Sequence, residues 1–372
     1  MPAELFPSKS PAVEQSTLQT VSTDPLCEEC TLPSLDTLIT PVEQFYVRSH
    51  FAQTPELSGP AWRLNIDGEV KQPLRLSLAD LEAMPAKEQV VTLECAGNSR
   101  SYVTPPVEGL AFRHGAVSTA RWKGVSLALV LAKAGLKDSA REVVFEGADH
   151  GREEEEGVAF DLKYERGLPV SKAMHPDTLL AYQMNGEPLT PLHGYPLRLI
   201  TPGWYAMASV KWLTHIRVSD QRFSGFFQAR RYVVIQEGVE SRIDREPVTL
   251  LKVKSIITSP RHGEVIQPGN LTIQGAAWSG AGPVEKVAVS TDGGRHWRNA
   301  KLIGESYPDA WRRWEFNWQP SEPGHFLVMA KATDSAGNTQ PKAMAWNFRG
   351  YANNSFHTIA VEVPAARPIP SK

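Results

Sequence analysis

One cysteine stands where an apolar segment runs into a loop of small residues, in the stretch VVTLECAGNSR (residues 90–100). Residues 90–93 predict a short buried strand, and Cys95 is followed by Ala96, Gly97 and Asn98, with Arg100 five positions after the cysteine. Such a cysteine can be a nucleophile with a histidine base, a ligand of a soft metal, or a packing residue. Spacing alone favours none of the candidate bases, which are His50, His114, His150, His175 and His193.

Three arginines lie among aromatic or small residues: Arg48 in FYVRSH, Arg100 after the cysteine loop, and Arg349 in WNFRGY. Burying an arginine is costly without a partner, so any one of them alone is expected to meet a carboxylate. If several converge on one pocket, their planar guanidinium groups instead form a receptor for a small oxyanion. The sequence leaves both interpretations open.

The other two cysteines form a single C-x-x-C pair, Cys27-Glu28-Glu29-Cys30, in a segment without regular patterning. One pair does not supply the four ligands of a structural zinc site, and no second pair follows. With only three cysteines in 372 residues, a disulfide framework is not expected. We interpret Cys27 and Cys30 as reduced surface thiols, with a redox pair as the alternative.

Composition narrows the class of protein. The net charge of −2 gives no overall field for binding nucleic acid or an anionic membrane, and no apolar run is long enough to cross a bilayer. No export signal is visible, which predicts a cytoplasmic protein. Phosphate-loop, dinucleotide, nucleophile-elbow and zinc-protease motifs are missing, as are haem-binding segments, so no haem is expected in this chain.

The pattern of segments predicts an α+β protein with two domains after an N-terminal extension at residues 1–40, which we expect to be loosely docked. In residues 41–245, strand patterns such as EVVFEGAD alternate with helical ones such as SLALVLAKAGL, and Asp67-Gly68 predicts a hairpin turn. The charged run GREEEEGVAF predicts a solvated loop. Residues 246–365 are short β-rich segments divided by Pro, Gly and Asp-Gly turns, as is typical of an immunoglobulin-like sandwich.

Many long motifs in one order resemble the sulfite oxidase family of molybdopterin enzymes, over nearly the whole chain from about residue 33. The matching stretches include ITPVEQFYVRSHF, VVTLECAGNSR, GAVSTARWKGVSL, LLAYQMNGEPLTPLHGYPLRLITPG, AWSGAGPVEKVAVSTDGGRHW and WNFRGYANNSFH. The resemblance implies a mixed α/β molybdopterin-binding domain followed by a sandwich that forms a homodimer. It also implies that Cys95 is the protein thiolate on molybdenum.

The resemblance also implies site residues. The implied cofactor-binding residues are Tyr46, Val47, Arg48, Ser49, His50, Cys95, Asp149, His193, Arg198, Ser209, Val210 and Lys211. The implied substrate residues are Arg48, Arg100, Tyr232 and Arg349, three cations and a hydroxyl around an oxyanion. The chain departs from the family pattern at Ser99 and Phe112, where arginine and tryptophan are common, and at the residues flanking Tyr232.

The reaction implied is oxidation of sulfite to sulfate with electrons passed to an external acceptor, for which a cytochrome is one candidate. A reductase of nitrate or of a sulfoxide is the first alternative. Tyr232 and Arg349 favour sulfite, because nitrate-reducing relatives generally lack their counterparts. The second alternative is a scaffold protein without catalysis, which would bind no molybdenum. The sequence leaves the acceptor and the role of Cys27 and Cys30 open.

Overall fold

The structure, a computed structural model, describes residues 18–155, 157–234 and 245–365. We refer to residues 18–234 as the N-terminal region and to residues 245–365 as the C-terminal region. The strands of the N-terminal region are β1 (Gln19–Thr23), β2 (Leu26–Glu29), β3 (Val47–Arg48), β4 (Leu64–Gly68), β5 (Leu74–Leu76), β6 (Ala86–Glu94), β7 (Val117–Ser126), β8 (Glu142–Glu155), β9 (Val158–Pro169), β10 (Leu179–Met184), β11 (Glu187–Pro188), β12 (Arg198–Ile200) and β13 (Leu213–Ser219).

The helices of this region are short. The α-helices are α1 (Leu78–Glu82), α2 (Leu127–Ala134) and α3 (Val170–Ala173). Single helical turns of other types occupy Leu32–Asp36, Val42–Gln44, Arg100–Tyr102, Pro191–His193, Ala206–Ala208 and Phe227–Arg231. The described fold is therefore α+β with sheet predominating over helix.

Three sheets build the N-terminal region. A small antiparallel sheet has the order β1-β2-β3, and a second sheet has the order β11-β10-β7-β6 with β12 also pairing with β10. The third sheet has the order β5-β4-β13-β8-β9, in which β4 and β13 run parallel. Continuous apolar stretches such as residues 90–93 on β6 are buried between these layers, which explains why they do not alternate with polar residues.

Helix α2 confirms the helical prediction for SLALVLAKAGL. Its buried side chains, Leu127, Val130, Leu131 and Ala134, recur at the spacing of one helix face. The helix ends at Gly135, whose φ of 69° lies in the left-handed region that favours glycine. Asp67 and Gly68 are the last two residues of β4, which pairs antiparallel with β5, and the connection at residues 69–73 is longer than the two-residue turn that was predicted.

The C-terminal region is built from strands alone in its described part. They are β14 (Lys254–Ser259), β15 (Leu271–Trp278), β16 (Val284–Ser290), β17 (Arg298–Asn299), β18 (Lys301–Ile303), β19 (Arg312–Trp318), β20 (Gly324–Asp334) and β21 (His357–Val363). They form two four-stranded antiparallel sheets, β14-β15-β19-β18 and β17-β16-β20-β21. Alternate residues of β20 and β21, such as Val328, Ala330, Ile359 and Val361, fill a core between the sheets.

Three sequence expectations are wrong. GREEEEGVAF is not a loop, because residues as far as Glu155 extend β8 and pair with β9, with Glu155 opposite Val158. The N-terminal extension is not loosely docked in its described part, because β2 pairs with both β1 and β3, and Cys27 and Cys30 are both free and buried rather than surface thiols. Residues 1–17 lie outside the described residues. In the described residues, no helix is both long and apolar enough to span a membrane.

Candidate active site

Cys95 lies directly after β6, at the start of a tightly folded loop. The Asn98 amide donates to the Cys95 carbonyl (2.9 Å), and the Arg100 amide donates to the Gly97 carbonyl (3.1 Å). Ser99 sits in the left-handed region with a φ of 69°. The Gly97 amide also donates to the Cys95 sulfur at 3.4 Å. This loop aims the sulfur into open space from a rigid strand end.

The charge state of Cys95 depends on two opposing influences. Burial raises the pKa of the Cys95 thiol, whereas the positive charges of Arg48 and Arg100 and the Gly97 amide lower it. A metal that binds sulfur would displace the thiol proton, because thiolate is the ligand form. Among the described residues, no group of three or more His, Cys, Asp or Glu side chains could hold a metal ion.

Two cavities meet at Cys95. Each contains more than 600 Å³ of empty space, about 610 Å³ in the first and about 650 Å³ in the second. Arg48, Cys95 and Tyr232 line both. The first cavity extends between the sheets of the N-terminal region, and the second extends toward Arg349 and Tyr351 of the C-terminal region. A group bound at Cys95 would face both spaces.

Cations gather at one end of the first cavity. Arg198 is 4% exposed, and its guanidinium donates to the carbonyls of His193 (3.0 Å) and Ser209 (3.3 Å), while the Lys211 ammonium donates to the Leu192 carbonyl (3.0 Å). Burial lowers the pKa of Arg198 to about 10 and also lowers that of Lys211, for which the Arg198 charge is a further cause. Cations with lowered pKa values favour a bound anion, which would restore their charge balance. This end suits a phosphate group.

His193 is uncharged in this cluster. Burial, followed by the charges of Arg198 and Lys211, lowers the pKa of His193 to about 3. The ring packs edge-on against Phe45 with centroids 5.3 Å apart, and Nε2 lies 3.3 Å from the Val42 carbonyl. His193 therefore serves as a hydrogen-bonding side chain at neutral pH and adds no positive charge.

Several buried polar atoms near the first cavity have no protein partner. These are Asp149 Oδ1 and Arg198 Nε, on residues that line the cavity, and Ser49 Oγ, on a residue that lines neither cavity but stands between the lining residues Arg48 and His50 in the chain. Asp149 is 4% exposed, and burial raises the pKa of its carboxyl group, with the Lys211 charge opposing the shift. Because buried polar groups are nearly always hydrogen-bonded, these atoms indicate a missing polar ligand. A ligand with a phosphate, a polar ring system and a metal-binding end fits the first cavity.

A histidine and two tyrosines form the wall behind Cys95. His50 Nε2 and the Tyr232 hydroxyl are 2.6 Å apart, and the His50 ring stacks on Tyr164 with centroids 4.1 Å apart. Burial and the Arg48 charge hold the pKa of His50 well below its usual range, so the imidazole is neutral. Burial raises the pKa of Tyr232, with Arg48 opposing, so the hydroxyl keeps its proton. In the His50 tautomer with its proton on Nε2, the imidazole donates to the Tyr232 oxygen, and the hydroxyl proton is free to donate into the second cavity.

The second cavity is rich in arginine. Arg48, Arg100, Arg231 and Arg349 line it together with Glu108. Arg100 Nε donates to the Arg349 carbonyl and Nη1 to the Leu110 carbonyl, both at 2.9 Å, and its guanidinium lies 5.0 Å from the centre of the Tyr351 ring. Arg48, Arg100 and Arg349, which the sequence places far apart, thus line one cavity.

Gly97 is required for this arrangement. A Cβ atom at residue 97 would lie 2.7 Å from Arg100 Nη1. Any larger residue would displace the guanidinium from the second cavity. The glycine of the C-A-G-N loop thus allows Arg100 to pack directly against the loop backbone.

Of the other residues predicted to bind the cofactor, some line a cavity and some do not. Tyr46 and Ser209 line the first cavity, whereas Val47 and Val210 are buried and line neither cavity. Three further residues with polar side chains line the cavities, and the sequence analysis did not assign them to the site: Tyr164, Arg231 and Tyr351. The only signal for Arg231 and Tyr351 was adjacency to a predicted site residue, Tyr232 in one case and the Arg349 segment in the other.

A buried polar network fixes the cysteine loop to the C-terminal region. Lys254 (2% exposed) donates to Glu94 (1% exposed) and to the Ser99 hydroxyl, both at 2.9 Å. Glu94 also accepts hydrogen bonds from Asn98 (2.9 Å) and from the Trp278 indole (2.8 Å). Ser99, where relatives commonly have arginine, is thus a partner of a buried lysine. Glu94 and Ser99 lie at the two ends of the loop. Both accept hydrogen bonds from side chains of the C-terminal region.

Comparison with known proteins agrees with this geometry. Residues 51–227 match the family described as oxidoreductase molybdopterin binding domain, and residues 245–364 match the Mo-co oxidoreductase dimerisation domain. The chain is 39% identical to mitochondrial sulfite oxidase of Mus musculus over 87% of its own length, and it spans 62% of the length of that protein. It is 33% identical to sulfite oxidase of Arabidopsis thaliana, covering 87% of this chain and 88% of the other.

Among solved structures, the sulfane dehydrogenase SoxCD from Paracoccus pantotrophus superposes with a TM-score of 0.82 at 28% identity, covering 98% of this chain and 95% of that one. The fold and the site define a molybdopterin-dependent oxidoreductase, and the predicted cofactor, molybdenum bound by molybdopterin, is confirmed. The chain belongs to the sulfite oxidase family.

Proposed function

We propose that this protein oxidises sulfite to sulfate and passes the electrons to an external acceptor. One observation carries the proposal: an arginine-lined cavity and a cavity suited to a phosphate-bearing cofactor meet at a single buried cysteine. The shared position of Cys95 allows a metal held there to face a small anion. The similarity to sulfite oxidases from animals and a plant supports sulfite as that anion.

In this proposal the first cavity binds the cofactor and the second cavity binds the substrate. Arg198, Lys211 and His193 would hold the phosphate end of the cofactor, and Asp149 would bind polar groups of its ring system. Cys95 supplies the protein ligand. When bound, molybdenum supplies two-electron redox chemistry and oxygen-atom transfer.

Arg48, Arg100 and Arg349 bind and orient the oxyanion in the second cavity. Guanidinium groups suit this role because they donate in a planar fork that matches the oxygens of an oxyanion. Tyr232 holds its proton and donates a hydrogen bond toward the reacting oxygens, while neutral His50 fixes the orientation of the hydroxyl. Burial of these groups strengthens their electrostatic effect on a bound anion.

The C-terminal region has two proposed roles. It adopts an immunoglobulin-like sandwich that forms a homodimer, which its match to a dimerisation domain supports. It also completes the second cavity, since Arg349 and Tyr351 belong to it. We propose that the external acceptor is a one-electron carrier such as a cytochrome, two of which would take up the two electrons of the oxidation.

The test is metal analysis of the purified protein together with sulfite-dependent reduction of ferricyanide on the same sample. We expect about one molybdenum per chain, as a single Cys95 site implies, and turnover on sulfite. Molybdenum without sulfite turnover would overturn sulfite as substrate and direct the assay to nitrate and sulfoxides. Protein from a host that makes the cofactor but containing no molybdenum would overturn the whole proposal.

Replacing Arg349 with methionine is expected to raise the KM for sulfite about ten- to a hundredfold, since hydrogen bonds to charged groups contribute about 1.5–3 kcal/mol. Molybdenum content should not change, because Arg349 lines only the second cavity. Steady-state kinetics of the variant check this against Arg295→Met, which removes an exposed arginine of the same region. An unchanged KM in Arg349→Met would remove Arg349 from the oxyanion site.

A further inference from the structure

Two arginines of the second cavity already have carboxylate partners, and both partners come from β8. Arg349 Nη2 donates to Glu155 Oε1 in an ion pair whose side chains are 17% and 13% exposed. Arg231 Nη2 lies 3.5 Å from Glu153 Oε2, and that glutamate side chain is 12% exposed. In the described residues, neither Arg48 nor Arg100 forms a salt bridge. Two of the four arginines that line the second cavity are therefore paired with carboxylates.

The geometry of β8 explains why Glu153 and Glu155, and not Glu154, pair with the arginines. Successive side chains of a strand point to opposite faces, so Glu153 and Glu155 share the face toward the arginines. Glu154 lies on the opposite face and is exposed. The part of the acidic run that was expected to be solvated thus presents alternate carboxylates to the second cavity.

A carboxylate and a small oxyanion bind a guanidinium in the same way, through oxygens that accept its planar donors. Arg349 Nε has no hydrogen-bond partner among the described residues, although it is buried. Nη2 is held by Glu155, so an anion in the cavity finds Arg349 with one donor open and another occupied. The anion can bind both Nε and Nη2 of Arg349 only if Glu155 releases Nη2.

We propose that Glu155, supported by Glu153, is a specificity-determining residue that competes with the anionic substrate for Arg349. The inference rests on the proposed function, because it assumes that the second cavity binds an oxyanion. A doubly charged oxyanion attracts the Arg349 guanidinium more strongly than a singly charged one does, so it competes better with the Glu155 carboxylate. The same competition weakens retention of the doubly charged product after turnover.

The experiment measures binding of radiolabelled sulfate to the purified holoenzyme by equilibrium dialysis, alongside the KM and kcat for sulfite. In Glu155→Gln we expect sulfate to bind about three- to tenfold more tightly and the KM to fall by a similar factor, because a competing charge is removed next to the arginine. Glu154→Gln removes the same charge from the exposed face of the same strand and should match the wild type. The effect of Glu155→Gln should vanish in an Arg349→Met background.

Three results would overturn the inference. If Glu155→Gln and Glu154→Gln bind sulfate equally, the ion pair only anchors the hairpin, and the proposed function is untouched. If Glu155→Gln still tightens sulfate binding when Arg349 is methionine, the competition does not act through Arg349. If neither the wild type nor any variant binds sulfate or turns over sulfite, the inference falls together with the proposed function.

Discussion

Replacement of Cys95 with serine is expected to reduce turnover on sulfite by at least about a hundredfold, because losing only an outer partner of a metal ligand costs about 10- to 100-fold. Cys95 is the single protein sulfur that lines both cavities. The variant should still hold the organic part of the cofactor, since Arg198, Lys211 and Asp149 are unchanged. Kinetics with ferricyanide and a fluorescence assay of the released pterin measure the two effects separately.

Cys30→Ser is the matched control for this change. Cys30 is also buried, and its thiol donates to the Val117 carbonyl at 3.2 Å, a bond that a serine hydroxyl can replace. Cys30 lines neither of the two cavities at Cys95. Full turnover in Cys95→Ser would contradict the assignment of Cys95 as ligand, whereas loss of turnover in both variants would indicate a general packing defect.

Replacement of Lys254 with methionine is expected to destabilise the protein by about 3–5 kcal/mol, because it leaves the Glu94 carboxylate buried without its partner. At about 2–4 °C per kcal/mol, the melting temperature should fall by roughly 6 °C or more. Molybdenum occupancy should fall as well, since Glu94 directly precedes Cys95 and Ser99 loses its lysine donor. Calorimetry and metal analysis of the same preparation check both results.

Two further variants make this prediction specific. Lys286→Met removes the same charge from an exposed residue of the same region and should change stability by less than about 0.5 kcal/mol. Adding Glu94→Gln to Lys254→Met should recover part of the loss, because a neutral amide is less costly to bury and still accepts from Asn98 or Trp278. A melting temperature unchanged in Lys254→Met would show that the ion pair contributes nothing to stability.

Local patterns in the sequence predicted several elements correctly. Helix α2 was predictable because apolar residues recur on one face and a glycine follows its last turn. The strand before Cys95 was predictable because a short apolar run suits a strand that is covered on both sides. These patterns depend only on residues that are close in the sequence, within one or two helical turns or a few strand positions.

The errors arose where no such signal exists. The outer part of β8, residues 150–155, has no apolar side chain on either face, so it lacks the alternation that marks a half-buried strand. The segment of Cys27 and Cys30 has no apolar periodicity. Cys27 lies where β2 pairs with β3, about 20 residues later in the chain, and Cys30 contacts Gly115 and Val117 at the start of β7. In both cases pairing with a partner strand, and not local composition, produced the structure.

For the site, the sequence by itself determined the residue types: a cysteine at a strand end, arginines near aromatic residues, and the family motifs that contain them. Only the tertiary structure decided which of these side chains meet. It joined two cavities at Cys95, paired Glu155 with Arg349 across 194 positions, and tied the cysteine loop to Lys254 across 160. The physical reason is that secondary structure follows from short-range periodicity, whereas charge pairing depends on distances that exist only after the sheets have packed.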